Sequence, residues 1–152
     1  MIWLVNKMIN ISKSINGLNI SLFAVRMGND FNISILGGDD SQIGAVALAV
    51  PSKKIINNNE VNSTSASLLT VSGDREDEVV MPVAKKIAKA LDSNIVVSCG
   101  IHKEKISMKE INLFMQLVNE AVDEFIAIYK YWKILYTKSK MEFKNKSPSY
   151  FL

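Results

Sequence analysis

The sequence predicts an α/β (α+β) fold: a mixed β-sheet of about five to six strands with two main helices, the C-terminal one long. Three observations carry this. Ile43 to Val50 (IGAVALAV) is apolar on both faces, which marks an interior strand. Ser63 to Glu78 (STSASLLTVSGDREDE) passes from small and β-branched residues through Ser72-Gly73 into an acidic run, a strand-turn-helix corner. Ile111, Phe114, Val118, Val122, Phe125, Tyr129, Trp132 and Tyr136 then recur at helical spacing, so one long helix closes the fold.

Length and composition bound the answer. The 152 residues make one domain large enough for a real core, and 48% hydrophobic with 22% charged residues is ordinary globular usage. The net charge of +3 is uneven: residues 130–152 carry six lysines against Glu142, a net of +5, which leaves −2 for residues 1–129. A mildly acidic body argues against a nucleic-acid surface across the domain. Cys99 is the sole cysteine, so no internal disulfide forms, and a reducing, cytoplasmic location is expected. The apolar start Met1-Ile2-Trp3-Leu4-Val5 is interrupted by Asn6 and Lys7, too short for a membrane span and without a signal-cleavage site. Residues 1–16 read as an extension, 17–137 as the domain, and 138–152 as a basic tail.

In chain order, Asn19 to Met27 alternates loosely and reads as the first strand. Gly28-Asn29-Asp30 is turn chemistry, and Phe31 to Leu36 is its hairpin partner. Gly37-Gly38-Asp39-Asp40 opens a loop. In the interior strand, Ala45, Ala47 and Ala49 share a face and leave a shallow strip for a close-packed helix or a flat ring. Pro51 ends that strand, and Ser52 to Asn62 reads as a polar loop.

After the corner, Val79, Val80, Val83, Ile87 and Leu91 set the core face of a helix, and Pro82 requires it to start late or to bend. Asp92-Ser93-Asn94 ends it. Ile95 to Cys99 is a short buried strand running parallel to the Ser63 strand, followed by a loop at Gly100 to Lys105. Ser107 with Glu110 is a capping box that starts the last helix, about 30 residues and near 45 Å long. That exceeds the ~30 Å of a small domain, so the second half, with Tyr129, Tyr131, Trp132, Leu135 and Tyr136, is expected to overhang and to want a partner surface, a second copy or another protein.

Candidate chemistry concentrates at two loops. The corner at Gly73 and the loop at Gly100 to His102 both lie at carboxyl ends of strands, where ligand sites of α/β sheets gather. Asp74, Glu76, Asp77 and Glu78 suit the positive end of a helix dipole, so a self-capped helix start is the plain reading. A phosphate cradle and a divalent cation on Asp74 and Asp77 are the alternatives. A Cys99–His102 pair, or His102 with Glu76 or Asp77 as an acid-base pair, is the enzymatic reading; neither has the orienting partners that catalysis needs.

Three segments together resemble a known family. QIGAVALA (Gln42 to Ala49), the hydroxyl-rich strand running into SGDREDE (Ser72 to Glu78), and GIHKEKIS (Gly100 to Ser107) resemble, in order and spacing, the LpdD-like prenylated flavin chaperones, over about residues 17–128. The resemblance implies an architecture similar to proteasome-assembly-chaperone domains, which work as dimers. It implies a non-catalytic protein that binds prenylated FMN, or FMN, or helps deliver it to a UbiD-type decarboxylase. The cofactor-binding residues it implicates are Gly44, Gly73, Glu76 and Asp77, then Gly100 and His102; Asp74 at the corner and the hydroxyls of Ser63, Thr64 and Ser65 are further candidates read from this chain. The family pattern has histidine where this chain has Gln42 and Asp74, and an acidic-Asn pair where it has Glu104-Lys105. The alternative is a homodimeric assembly chaperone or scaffold without a small ligand.

Overall fold

The structure is a computed structural model that describes residues 8–71 and 76–145, the side chains of 142–145 excepted. Its elements are β1 (Met8–Ile15), β2 (Leu18–Met27), β3 (Asp30–Gly38), β4 (Ala45–Ile56), β5 (Asn59–Thr70), α1 (Asp77–Leu91), β6 (Ile95–His102) and α2 (Met108–Asn145). The six strands form one mixed sheet in the order β1-β2-β3-β6-β4-β5. β3 and β6 are parallel, and every other neighbouring pair is antiparallel.

Both helices pack on one face. Ile20, Leu22, Ile33, Ile35, Ala45, Ala47, Ala49, Ile95 and Val97 alternate onto it, and α1 and α2 cover it with Val80, Ala84, Ile87, Leu117, Val118 and Phe125. The alanine strip of β4 admits the closely packed helix, since three methyl groups stand where longer side chains would hold α1 away. Phe31 meets Phe125 and Tyr129 edge-on, ring centroids 5.2 Å apart in each case, and so fixes α2 against β3. Lys86 pairs with Asp123 at 2.6 Å between the helices, and Lys13 pairs with Glu124 between β1 and α2.

Several sequence expectations are corrected. β4 is interior in strand order, but among the described residues only one of its faces is covered, with Leu48 and Val50 on the other. Pro51 does not end it: beyond Ala49 it has β5 on one side and no β6 partner on the other, so a missing N–H is tolerated there. Residues 52–62 are not a loop but the two arms of the β4–β5 hairpin. Asn57 and Asn58 turn it, both left-handed at φ 49° and 61°, the conformation that a two-residue hairpin turn demands. Residues 8–15, read as part of an extension, form edge strand β1, because Ile9 and Ile11 alternate inward against Asn10 and Ser12. β6 runs on through Gly100 and Ile101 to His102, pairing with Leu36, Gly37 and Gly38, so that stretch is strand rather than loop.

Other expectations hold. β5 runs in the same direction as β6, although β4 lies between them. α1 starts at Asp77, inside the acidic run, so it does not start late, and Pro82 lies in its interior. The Ser107–Glu110 capping box is formed. α2 has 38 residues, about 57 Å; of the residues expected to overhang, Tyr129 and Trp132 instead pack against the core, Tyr129 edge-on to Phe31, and only beyond Trp132 are the apolar side chains Ile134, Leu135 and Tyr136 exposed.

Candidate functional site

β3 and β4 lie on opposite sides of β6, so residues 39–44 must cross the carboxyl end of that strand. This crossing explains three glycines. Gln42 lays its backbone directly over Gly100, where a β-carbon would run into the Gln42 carbonyl. Gly38 takes φ 81° at the start of the crossing, against the backbone of His102. Gly44 completes it, donating its N–H to the Cys99 carbonyl at 2.9 Å and accepting the Val71 N–H at 2.8 Å. One peptide segment thus ties the end of β5 to β6.

Glu76 comes down onto this knot from the start of α1. It caps the helix with its backbone carbonyl, which accepts from Val79 and Val80 at 3.0 and 2.9 Å, and its side chain makes no cap bond. The carboxylate instead lies against Gly44, with Oε2 shut off from solvent and without a hydrogen-bond partner. Cys99, 1% exposed, senses it: burial first and the Glu76 charge second push the thiol up to about 12. A thiol so held is protonated and inert at neutral pH.

Among the sequence-predicted residues, Gly44, Glu76 and Gly100 meet at this rim, with Asp77 one residue into α1 and His102 at the end of β6. Gly73 and Asp74 lie outside the described residues. Ser63, Thr64 and Ser65 pair with Ser52, Pro51 and Val50, five or more residues back along β5 from Thr70, so roughly 17 Å or more from the rim. His102 is exposed and Cys99 is buried on the opposite face of the same strand, so the two do not form a dyad. His102 instead contributes its carbonyl, which accepts from Asp39 at 2.7 Å.

A polar hollow of about 210 Å³ opens at the same edge toward α2, lined by Asn16, Asn19, Asp39, Lys103, Glu110 and Phe114 among others. Lys103 and Glu110 pair across it at 3.5 Å. No group of His, Cys, Asp and Glu among the described residues is arranged to hold a metal ion. The sequence places Cys99 in a buried strand, as found, but carries no signal for the Gln42–Gly100 contact, which depends on strand order.

A family model for the prenylated flavin chaperone LpdD-like domain matches residues 14–130. The chain belongs to that family. The LpdD-like domain thus takes in all of the sheet from the end of β1, the crossing of residues 39–44 over β6, α1 and the packed part of α2, and stops where α2 leaves the core. Among solved structures, this LpdD-like chain is similar to one from the crystal structure of a novel chaperone complex for yeast 20S proteasome assembly, at 16% identity and a TM-score of 0.40, covering 87% of this chain and 98% of that one. No curated protein matches it. No helix among its described residues is long and apolar enough to cross a membrane.

Proposed function

We propose that this protein is a non-catalytic accessory that binds prenylated FMN, or FMN, and helps deliver it to a UbiD-type decarboxylase. The observation that carries the reading is the match of residues 14–130 to the prenylated flavin chaperone domain. The orphaned Glu76 oxygen supports it. A buried carboxylate oxygen without a donor is a vacant acceptor, and the N–H edge of an isoalloxazine ring supplies one. Lys103, beside the polar hollow, suits a phosphate, whereas Asp39 in the same lining does not. The flavin brings its own redox and adduct chemistry. The chain's contribution is to hold it, shield it and let it go. Since Oε2 has no solvent contact, a ligand reaches it only when the Glu76 side chain swings away from Gly44.

Anaerobic titration with reduced prenylated FMN and with FMN tests the proposal. Saturable change in flavin absorbance is expected, and an unchanged spectrum at high protein removes the reading. Delivery is tested separately, by activation of an apo-decarboxylase on mixing with loaded protein. The exposed Ile134, Leu135 and Tyr136 beyond Trp132 favour a second reading, a scaffold that works through α2. Capture of a purified decarboxylase by the native chain, lost with Leu135→Asp while flavin binding stays at zero, would support that reading instead.

A further inference from the structure

Ala49, Ile95 and Phe31 lie in one row across β4, β6 and β3, and the Phe31 ring meets Tyr129 of α2, so these four residues mark one end of the sheet. α1 stops there at Leu91, just before β6 begins. Two elements run on past it. β4 and β5 continue as a hairpin arm, from Val50 to the Asn57-Asn58 turn and back to Ser65, about 23 Å long. α2 continues from Lys130 to Asn145, about 24 Å.

Within the domain α1 lies between these two elements: it packs on β4 and β5, and its Lys86 pairs with Asp123 of α2 at 2.6 Å. Past Leu91 the space between arm and overhang therefore continues the line of α1 as a groove about one helix wide, and no element among the described residues occupies it. Its walls differ in kind. On the arm, Ile55 follows Ala45, Ala47 and Ala49 onto the face that α1 covers, and it is 80% exposed. On α2, Lys130 and Ile134 follow the line of Asp123 on the α1 side, with Lys133 beside them. Residues 125–141 hold four lysines and no acid, so the charge of this wall is unanswered along the helix. A two-stranded arm and a lone helix end are each marginal in water, and both gain from being covered.

We infer that this groove takes an acidic amphipathic helix of a partner protein, laid in line with α1. Its apolar side meets Ile55 and Ile134, and its carboxylates meet Lys130 and Lys133. Charge selects this occupant. A second copy offering the same two prongs sets lysine against lysine, and the chain's own residues 1–7 bring Lys7 and no acid. Leu135 lies on the other side of α2, on the line of Glu124, which pairs with Lys13 of β1. The groove is thus separate from a scaffold contact through Leu135, and it acts whether or not flavin binds.

Fluorescence anisotropy of the full chain with a labelled synthetic helix of Leu, Ala and Glu, about 18 residues long, tests it, beside the same peptide with Lys for Glu. Saturable binding of the Glu peptide and none of the Lys peptide is expected. Ile55→Asp and Lys133→Glu, both exposed and outside the core, are each expected to weaken binding at least about tenfold. Lys109→Glu makes a like charge reversal at the far end of α2 and is expected to leave binding unchanged. Failure of the Glu peptide to bind overturns the inference, as does an equal loss with Lys109→Glu, the mark of general charge attraction, or indifference to Ile55→Asp, which leaves α2 alone as the surface. Binding that appears only in Trp3→Asp gives the groove to residues 1–7, and a dimer that dissociates in Ile55→Asp gives it to a second copy; either result also overturns it.

Discussion

The side chain of Glu76 lies so close to Gly44 that a β-carbon on residue 44 would collide with its carboxylate. What it would meet is the end of a flexible side chain, which can swing away. At Gly38 and Gly100 a β-carbon would meet backbone, the His102 and Gln42 carbonyls, which cannot move without undoing the crossing of β6. Gly44→Ala is therefore expected to stay within about 1 kcal/mol of native stability, while Gly100→Ala loses about 1–3 kcal/mol or more through overpacking. Gly38→Ala adds left-handed strain to the same clash. Urea unfolding of the three variants checks the ranking, and a Gly44→Ala loss equal to that of Gly100→Ala contradicts it.

Glu76 occupies an N-cap position without using its side chain as a cap. Ordinary cap removal costs about 1 kcal/mol. Here Glu76→Ala removes a buried, unpartnered acceptor, so melting is expected at the native temperature or above it. If the orphan oxygen serves a ligand, the same variant binds flavin at least about tenfold more weakly. A stable protein with lost binding is the signature, and destabilisation by a usual cap loss would show that the carboxylate serves the fold.

The Cys99 thiol gives a pH dependence with a definite sign. Its folded pKa is pushed up from 9.0 to about 12, mainly by burial, so the unfolded chain releases its proton first as pH rises. Below about pH 9 the contribution to stability is complete, and between about 9 and 12 it is progressively lost. Thiol reagents at pH 8 should label native protein only at the rate of opening, and fast labelling by a neutral disulfide reagent would show that the residue is open to solvent.

At the start of α2, Glu110 Oε2 accepts the Ser107 N–H at 2.9 Å, and Ser107 Oγ accepts the Glu110 N–H at 3.2 Å. The Ser107 amide, ahead of the other contacts, holds the Glu110 carboxyl below its usual value. The group's pKa is depressed, so its contribution is present at neutral pH and is lost as pH falls below about 4.5 through the folded value. Ser107→Ala should cost about 1 kcal/mol. The loss should shrink in acid, and thermal melts at pH 7 and pH 3 measure both.

Local chemistry made much of this protein legible in the sequence. The alternation of Phe31, Ile33 and Ile35, the helical stripe from Phe114 to Trp132 and the box at Ser107–Glu110 are set by neighbours within a few residues, and each appears in the structure as read. The β4–β5 hairpin was misread because its register depends on two left-handed asparagines, and Pro51 because its effect depends on which strand lies alongside. The order β3-β6-β4 was not legible at all. It inserts a strand made late between two made early, and only that insertion sends residues 39–44 across Gly100 and sets Gly44 under Glu76.

The sequence by itself determined the central strands from Asn19 to Leu36 and Ile95 to Cys99, the two helices and the capping box, because periodicity and turn chemistry are short-range. Tertiary structure decided which of those residues meet, and that both helices take the same face of the sheet, because strand order and the side taken by each helix are set by packing between segments far apart in the chain.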